Sequence, residues 1–203
     1  MNININTHSS IQVEDMAFDP YQINESTFKA KYIFVTHTHF DHLDIPSIKN
    51  IIKPDSIIIA SFDAKEQLES NFKNEIYFVK PTDTLKIDNI EIEVLPAYNT
   101  NKNFHKKENN WVGFKVTKNN QTIAVLGDTD VTPELEQLKN MDVLFVPIGG
   151  TYTMNAKEAA SLANTIKPNL VIPVHYGSIV GTKLDEQAFI SNLNKDINYQ
   201  IML

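Results

Sequence analysis

The chain has 203 residues, of which 42% are hydrophobic, and a formal net charge of −7. This length corresponds to one domain or to two halves that share a core, and the lack of cysteine excludes disulfides, thiolate metal ligands and a cysteine nucleophile. All 18 basic residues are lysines, so no guanidinium group can clamp a phosphate, and the acidic balance argues against nucleic-acid and anionic-membrane partners.

The amino-terminal residues alternate polar and apolar side chains, without the basic start and apolar run of a signal peptide. No stretch reaches the ~20 apolar residues that a membrane-spanning helix needs. We therefore expect a cytoplasmic protein that acts on a small molecule and does not insert into a membrane. A homo-oligomer is left open.

In the first half of the chain, short β-branched runs alternate with amphipathic stretches. Strands are predicted at residues 3–5, 11–14, 31–35, 56–60, 76–79, 84–87 and 90–95. Helices are predicted at residues 48–52 and 63–71. The buried strand 31–35 leads directly into a segment rich in histidine.

A polar loop over residues 96–110 ends the first half and contains His105. Beyond it, strands are predicted at 111–117, 122–126, 143–147 and 170–174, and helices at 133–139 and 185–193. Asn155 and Glu158 form a capping box that begins another helix, ending at residue 166. This pattern predicts two sheets packed face to face with helices outside. We expect a single domain, 1–203, that consists of two pseudo-symmetric halves, roughly 1–110 and 111–203.

The densest chemical signal is the segment His37-x-His39-x-Asp41-His42, which holds three of the six histidines. In an extended segment His37 and His39 point to the same side, so both can reach one cation. Asp41 and His42 follow a bend and can reach a second one. Imidazole and carboxylate together suit zinc, iron or manganese.

His105 lies in the long loop, and Asp128 and His175 each follow a buried strand. Taken singly, each has a structural interpretation: a surface residue, a turn former and a strand-end polar residue. Strand ends at one edge of a sheet are where sites in layered α/β proteins assemble. Spacing alone does not bring these three residues together.

The segment Thr36–His42 resembles the signature motif of the metallo-β-lactamase superfamily. Four further stretches occur in the expected order and resemble one compact branch, related to ascorbate-6-phosphate lactonase and N-acyl-phosphatidylethanolamine phospholipase. These stretches are residues 18–20, 127–130, 147–154 and 172–177. The resemblance covers most of the chain.

The resemblance implies a four-layer αββα sandwich with two divalent metal ions, zinc before manganese or iron. It implies His37, His39 and His105 as ligands of the first ion, and Asp41, His42 and His175 as ligands of the second. Asp128 corresponds to the carboxylate that bridges both. We expect Asp19 to orient a ligand imidazole. His8 either does the same, contacts the substrate or has a structural role.

A metal-bridged hydroxide would then attack an ester, lactone, amide or phosphodiester bond. By the same resemblance, Asp41 orients this hydroxide and accepts its proton, and Tyr152 and Tyr176 are candidates for stabilising the oxyanion. Lys102, Lys106 and Lys107 partly substitute for the missing arginines. Two alternatives stay open: a non-catalytic metal-binding or sensing protein, and an RNA-processing nuclease, which the acidic balance disfavours.

Overall fold

A computed structural model describes residues 1–203. Its contacts divide the chain into two compact units, Met1–Lys80 together with Leu203, and Pro81–Met202. Each unit contains one six-stranded mixed sheet and its own helices. The predicted α/β class, with two sheets and flanking helices, is thus confirmed, whereas the division into pseudo-symmetric halves near residue 110 stays a prediction.

The first unit is built on strands β1 to β6, which lie in the sheet in chain order. The strands β1, β2 and β3 pair antiparallel, and β3 to β6 pair parallel. The bounds are β1 Ile3–Ile5, β2 Ile11–Val13, β3 Met16–Phe18, β4 Tyr32–Val35, β5 Ile57–Ser61 and β6 Glu75–Val79, with helices α1 Ile45–Ile51 and α2 Lys65–Asn71.

The centre of this sheet is buried along its whole length. Every residue of β4 and β5 is buried, as expected for parallel strands that are covered on both faces. Helix α1 packs Ile48 and Ile51 into a cluster that includes Ile33 and Ile58. These apolar contacts hold β4 in place, and the histidine segment begins where β4 ends.

The second unit is built on strands β7 to β12, in the sheet order β12-β11-β10-β9-β8-β7. The strands β7 to β10 pair antiparallel, and β10 to β12 pair parallel. The bounds are β7 Thr84–Ile87, β8 Ile90–Pro96, β9 Val112–Lys118, β10 Gln121–Val125, β11 Val143–Pro147 and β12 Leu170–Val174, with helices α3 Ala156–Ile166 and α4 Lys183–Asn192.

Strand direction decides where the polar segments lie within each unit. In the first unit β3, β4 and β5 are parallel, so the residues that follow them share one edge of the sheet. In the second unit β8 and β10 are both antiparallel to β9, so β8 runs in the same direction as β10, β11 and β12. The segments that carry His105, Asp128 and His175 therefore also leave their sheet at one edge.

The predicted helix 133–139 is wrong. Only a short 3-10 turn forms, Leu135–Gln137, because the Leu135 and Leu138 N–H groups donate to carbonyls three residues earlier. Leu138 then adopts an extended backbone conformation, with ψ 138°, which ends the helical path. The capping box predicted at Asn155 and Glu158 is confirmed.

Other elements begin a few residues away from their predicted positions. Helix α1 begins at Ile45 rather than residue 48 because a proline occupies its first turn. Helix α4 begins at Lys183 rather than residue 185 because Thr182 and Asp185 form a second capping box. Strand β3, only three residues long, was not predicted.

None of the helices combines the length and the apolar character that crossing a membrane requires.

Candidate metal centre

Two segments of the first unit form its polar edge: the loop after β4, which contains His37 to His42, and the turn after β3, which contains Asp19. The buried Asp19 carboxylate accepts hydrogen bonds from the Thr36 backbone N–H (2.8 Å) and the Thr36 hydroxyl (2.7 Å). Its Oδ2 also lies 2.7 Å from Nδ1 of His42. Asp19 thus fixes both the start of the loop and the His42 imidazole, which is the orienting contact expected of it.

The Asp41 carboxylate lies between two imidazole nitrogens. Its Oδ2 is 3.1 Å from Nε2 of His8 and 3.5 Å from Nε2 of His42. The ligand atoms offered by His8, Asp41 and His42 all lie within 4.8 Å of one another, and all three residues are buried. His8 is therefore positioned to bind a cation itself. This role was not predicted for it, since from the sequence we expected it to orient a ligand, to contact the substrate or to have a structural role.

His37 and His39 form a second pair in the same loop. Their Nε2 and Nδ1 atoms are 3.0 Å apart, and Nδ1 of His37 is 3.0 Å from the Thr36 hydroxyl oxygen. Each residue thus has one nitrogen close to a nitrogen of the other, although Thr38 and His39 lie in a bend and not in the extended segment that was predicted.

In the second unit, Asp128 also lies between two imidazoles. Its Oδ2 is 3.2 Å from Nε2 of His105 and 3.0 Å from Nε2 of His175. All three residues are buried. The structure thus brings together three residues that are distant in sequence, a convergence that spacing alone did not predict.

Two groups that were not predicted orient His105. The Asn99 side-chain oxygen accepts from the His105 backbone N–H (2.9 Å) and lies 3.3 Å from its Nδ1. The Tyr152 carbonyl oxygen lies 3.1 Å from the same Nδ1 and also accepts from the Asn99 amide (2.8 Å). A carbonyl at Nδ1 favours the tautomer whose Nε2 is a ligand. The sequence contains no signal for this contact, which joins residues 47 positions apart.

Three residues of the site have left-handed backbones. The φ angles are 54° at His8, 42° at Asp19 and 59° at His175. Such conformations cost roughly 1–2 kcal/mol in residues with a Cβ. Their concentration among the predicted site residues fits the pattern that backbone strain collects at functional sites.

Gly149, two residues after β11, has no room for a side chain. A Cβ atom there would overlap the His175 carbonyl oxygen and lie 2.7 Å from a methyl group of Val180. A glycine at this position is therefore what lets the His175 backbone approach the end of β11.

The two tyrosines proposed for the oxyanion have different surroundings. Tyr152 is half-buried, and its ring packs at a right angle to Phe104, with centroids 4.9 Å apart. The buried Tyr176 donates its hydroxyl to Glu186 on α4 (2.8 Å). Burial, together with this bond to a carboxylate, raises the pKa of Tyr176 well above its ordinary value.

Two of the three lysines expected to replace arginine are engaged in ion pairs. Lys102 contacts the buried Asp130 at 2.5 Å, and Lys107 contacts Glu134 at 3.2 Å. Hydrogen bonds to Tyr98 and Glu134 raise the pKa of Lys107. These pairs tie the loop around His105 to the segment that follows β10.

The chemistry of the donor atoms fits a transition-metal ion. In each unit the donors are imidazole nitrogen and carboxylate oxygen, held near strand ends, with the outer nitrogen of His42 or His105 close to a carboxylate or carbonyl oxygen. Zinc, iron and manganese take such donors, and ligating histidines usually have a partner of this kind.

Known proteins resemble the chain over most of its length. The family model of the β-lactamase superfamily domain matches residues 7–175. A metal-dependent hydrolase of Pyrococcus furiosus is 30% identical over 162 residues, which cover 77% of this chain and 71% of the relative. One of Nanoarchaeum equitans is 30% identical over 199 residues, covering 93% and 90%.

Solved structures agree with the sequence comparisons. A Parabacteroides distasonis protein described as a metal-dependent hydrolase has a TM-score of 0.84 and 30% identity, covering 98% of this chain and 91% of that one. The metallo-β-lactamase fold protein YhfI of Bacillus subtilis has a TM-score of 0.71 at 14% identity, covering 95% and 88%, which shows the fold.

Proposed function

Because the chain belongs to the metallo-β-lactamase superfamily, we propose that it is a metal-dependent hydrolase that cleaves an ester, lactone, amide or phosphodiester bond in a small molecule. The narrower likeness to lactonases and phospholipases is part of this proposal.

One observation carries the proposal. Each unit holds a buried carboxylate between the Nε2 atoms of two histidines, Asp41 between His8 and His42, and Asp128 between His105 and His175. Buried carboxylates and imidazoles are costly unless hydrogen bonds, ion pairs or a bound cation satisfy them. Two such arrangements in one chain favour a centre for two cations.

We assign the metal ligands as the resemblance implies. His37, His39 and His105 would hold one ion, Asp41, His42 and His175 would hold the other, and Asp128 would serve both. His8 supports the second group through Asp41. Zinc is the expected metal, with manganese or iron as alternatives. Two divalent ions, when bound, lower the pKa of a water molecule and polarise the bond that is cleaved.

The protein's own groups then handle the proton and the developing charge. Asp41 takes the proton that the attacking water loses. The Tyr152 hydroxyl stabilises the oxyanion. Tyr176 is the second candidate for stabilising the oxyanion. Its hydroxyl donates to Glu186, so this hydrogen bond must break before Tyr176 can take part.

A panel assay tests the proposal. Lactones, aryl esters, amides and phosphodiesters are incubated at neutral pH with protein reconstituted with Zn²⁺ or Mn²⁺, and metal content is measured in parallel. We expect turnover of one class, lost in Asp128→Asn and retained in Asp196→Asn, which removes an exposed carboxylate. Inertness towards every class by a fully metal-loaded protein contradicts the proposal.

The panel assay, together with stability and RNA-binding measurements, separates the alternatives. A metal sensor binds metal without turnover, and its Asp41→Asn variant changes only in stability. A nuclease binds RNA with an affinity that falls steeply with salt, so a flat or absent response argues against it.

A further inference from the structure

His105 lies on a long loop, so its position depends on the contacts that this loop makes. We call residues 97–111, between β8 and β9, the His105 loop. The His105 Nε2 atom nevertheless lies 3.2 Å from Oδ2 of Asp128, which follows β10. Ordering the backbone of a loop costs conformational entropy, so this approach requires contacts between the His105 loop and the segment after β10.

Asp130, two residues after Asp128, makes three contacts of this kind. Its backbone N–H donates to the Tyr98 carbonyl (3.0 Å), and its Oδ2 accepts from the Thr100 N–H (2.9 Å). Its Oδ1 accepts from the Lys102 ammonium group (2.5 Å). Because Asp130 is buried, one interior residue fastens three alternate positions of the loop.

The contacts of Asp130 reach His105 through Asn99. This residue lies between Tyr98 and Thr100, whose backbones are bonded to Asp130. The Asn99 N–H donates to the His105 carbonyl (2.7 Å), and its side-chain oxygen accepts from the His105 N–H (2.9 Å). The stretch that Asp130 binds is therefore the stretch to which His105 is bonded, and a displacement of one moves the other.

A second ion pair joins the same loop to the same segment, but it is exposed. The Lys107 and Glu134 side chains are 61% and 39% exposed, whereas those of Lys102 and Asp130 are 19% and 3% exposed. Exposed ion pairs contribute little because water and salt screen them. Loss of one partner from a buried pair leaves the other charge uncompensated. The buried pair is therefore the one that fixes the loop.

We propose that Asp130 is a positioning residue of the metal centre. With Lys102 as its partner, it holds the His105 loop so that His105 stays against Asp128. This inference rests on the proposed metal centre. It predicts that a weakened pair lowers metal affinity and changes the surroundings of His105 while the protein stays folded.

Cobalt binding and the fluorescence of Trp111 test the proposal. Trp111 is the only tryptophan of the chain, and its ring centroid lies 5.3 Å from that of His105, so its emission reports whether the loop keeps its place. In Asp130→Asn we expect the affinity for Co²⁺ to fall about tenfold. The cobalt absorption spectrum should change and the Trp111 emission should shift, while the far-UV circular dichroism stays that of the wild type.

Lys102→Met keeps an apolar stem but removes the ammonium group, so each effect should go in the same direction by a smaller amount. In the double variant with Asp130→Asn the losses should not add, because the two side chains act as one pair. Glu134→Gln is the matched control, since it removes the carboxylate of the exposed pair on the same loop. It should keep the wild-type affinity, spectrum and emission.

The possible failures are distinguishable. Wild-type affinity in a folded Asp130→Asn protein overturns the positioning role, and Lys102→Met decides in the same way if Asp130→Asn does not fold. An equal loss in Glu134→Gln, or weakened binding with wild-type Trp111 emission, also overturns it. Each of these results leaves the metal centre standing. A wild-type protein that takes up no cobalt overturns the metal centre itself.

Discussion

Asp19 is the residue on which the geometry of the first unit's loop most directly depends. Its buried carboxylate bonds Thr36 twice and His42 once. In Asp19→Asn one oxygen becomes an amide donor, which mismatches either the Thr36 N–H, at Oδ1, or the Thr36 hydroxyl and the His42 nitrogen, at Oδ2. We expect metal affinity to fall about 10- to 100-fold, as for other partners of ligating histidines.

Competition with a chromophoric chelator measures that loss. Asp44→Asn is the control, since the Asp44 carboxylate accepts from the Gln22 N–H and the Ser47 hydroxyl in the same unit. Equal affinities for the wild type and Asp19→Asn would show that His42 needs no such partner.

Asn99 acts on His105 in the second unit. Asn99→Ala removes the acceptor for the His105 N–H and the donor to the Tyr152 carbonyl. We expect about a tenfold loss of metal affinity and a changed cobalt absorption spectrum. In a His105→Ala background the Asn99 substitution should have almost no further effect, because coupled residues are not additive. Additive losses would mean that Asn99 acts elsewhere.

At the residue scale, the sequence identified the chemical groups but not their partners. The cluster at His37 to His42 was predictable because three imidazoles in six residues are rarely structural. Asn99 and the Tyr152 carbonyl were not, because a neutral side chain and a backbone oxygen leave no trace in composition or spacing. Their contacts arise only when β8 and β11 place their following loops at one edge of the sheet.

At the level of elements, the end of β11 controls His175. Gly149→Ala places a methyl group against the His175 carbonyl, so we expect a lower melting temperature together with weaker metal binding. Gly177→Ala is the control: its φ is +80° and nothing lies within 4 Å of the added Cβ, so it costs only the left-handed strain, roughly 1–2 kcal/mol. Thermal unfolding with and without Zn²⁺ measures both effects. Retained metal affinity in Gly149→Ala would contradict the packing argument.

The bond between Tyr176 and Glu186 ties α4 to the segment after β12. Burial works to raise the pKa of Glu186, but hydrogen bonds from Lys183 and Tyr176 outweigh it and hold that pKa below its ordinary value of 4.5. A carboxylate with a lowered pKa stabilises the fold above the unfolded value, and this stabilisation is lost as the pH falls through the folded value.

Urea unfolding measured from pH 6 down to pH 3 tests this contribution. Glu186→Gln should unfold at lower urea concentration than the wild type at pH 6, and its stability should decline less as the pH falls below 4.5. Parallel acid profiles for the two proteins would show that the pair contributes nothing. Tyr176→Phe should show the same loss at pH 6, and unchanged turnover would assign Tyr176 to this link rather than to the oxyanion.

The strands and helices were predicted correctly where the apolar pattern in the sequence is strong. The prediction failed at residues 133–139, where the spacing of the backbone hydrogen bonds determines the type of helix. The strands β4, β5, β11 and β12 are continuous buried runs, which the sequence displays directly. The segment 133–139 has a helical composition, yet its Leu135 and Leu138 N–H groups bond three residues back, whereas the Glu136 N–H bonds four residues back. Composition does not distinguish these two bonding patterns over one or two turns.

At the scale of the whole molecule, the two sheets repeat one plan, in which an antiparallel set of strands is followed by a parallel set. In both, the parallel strands carry site residues beyond their carboxyl ends. The sequence predicted two sheets from alternating strands and helices, but not the strand order, because pairing between distant strands is decided by packing. The family resemblance implied a four-layer αββα sandwich but no strand order.

If both units contribute ligands, as we propose, metal binding must stabilise the chain as a whole. A ligand that binds only the folded state adds about 4 kcal/mol to unfolding when its concentration is roughly 1,000 times its Kd. We therefore expect the urea midpoint to rise with Zn²⁺ and to fall when a chelator strips the metal. His42→Ala, from the first unit, and His175→Ala, from the second, should each reduce this metal-dependent shift. If either variant kept the full shift, that histidine would not hold the metal, and the proposed ligand set would be wrong even though the fold is unchanged.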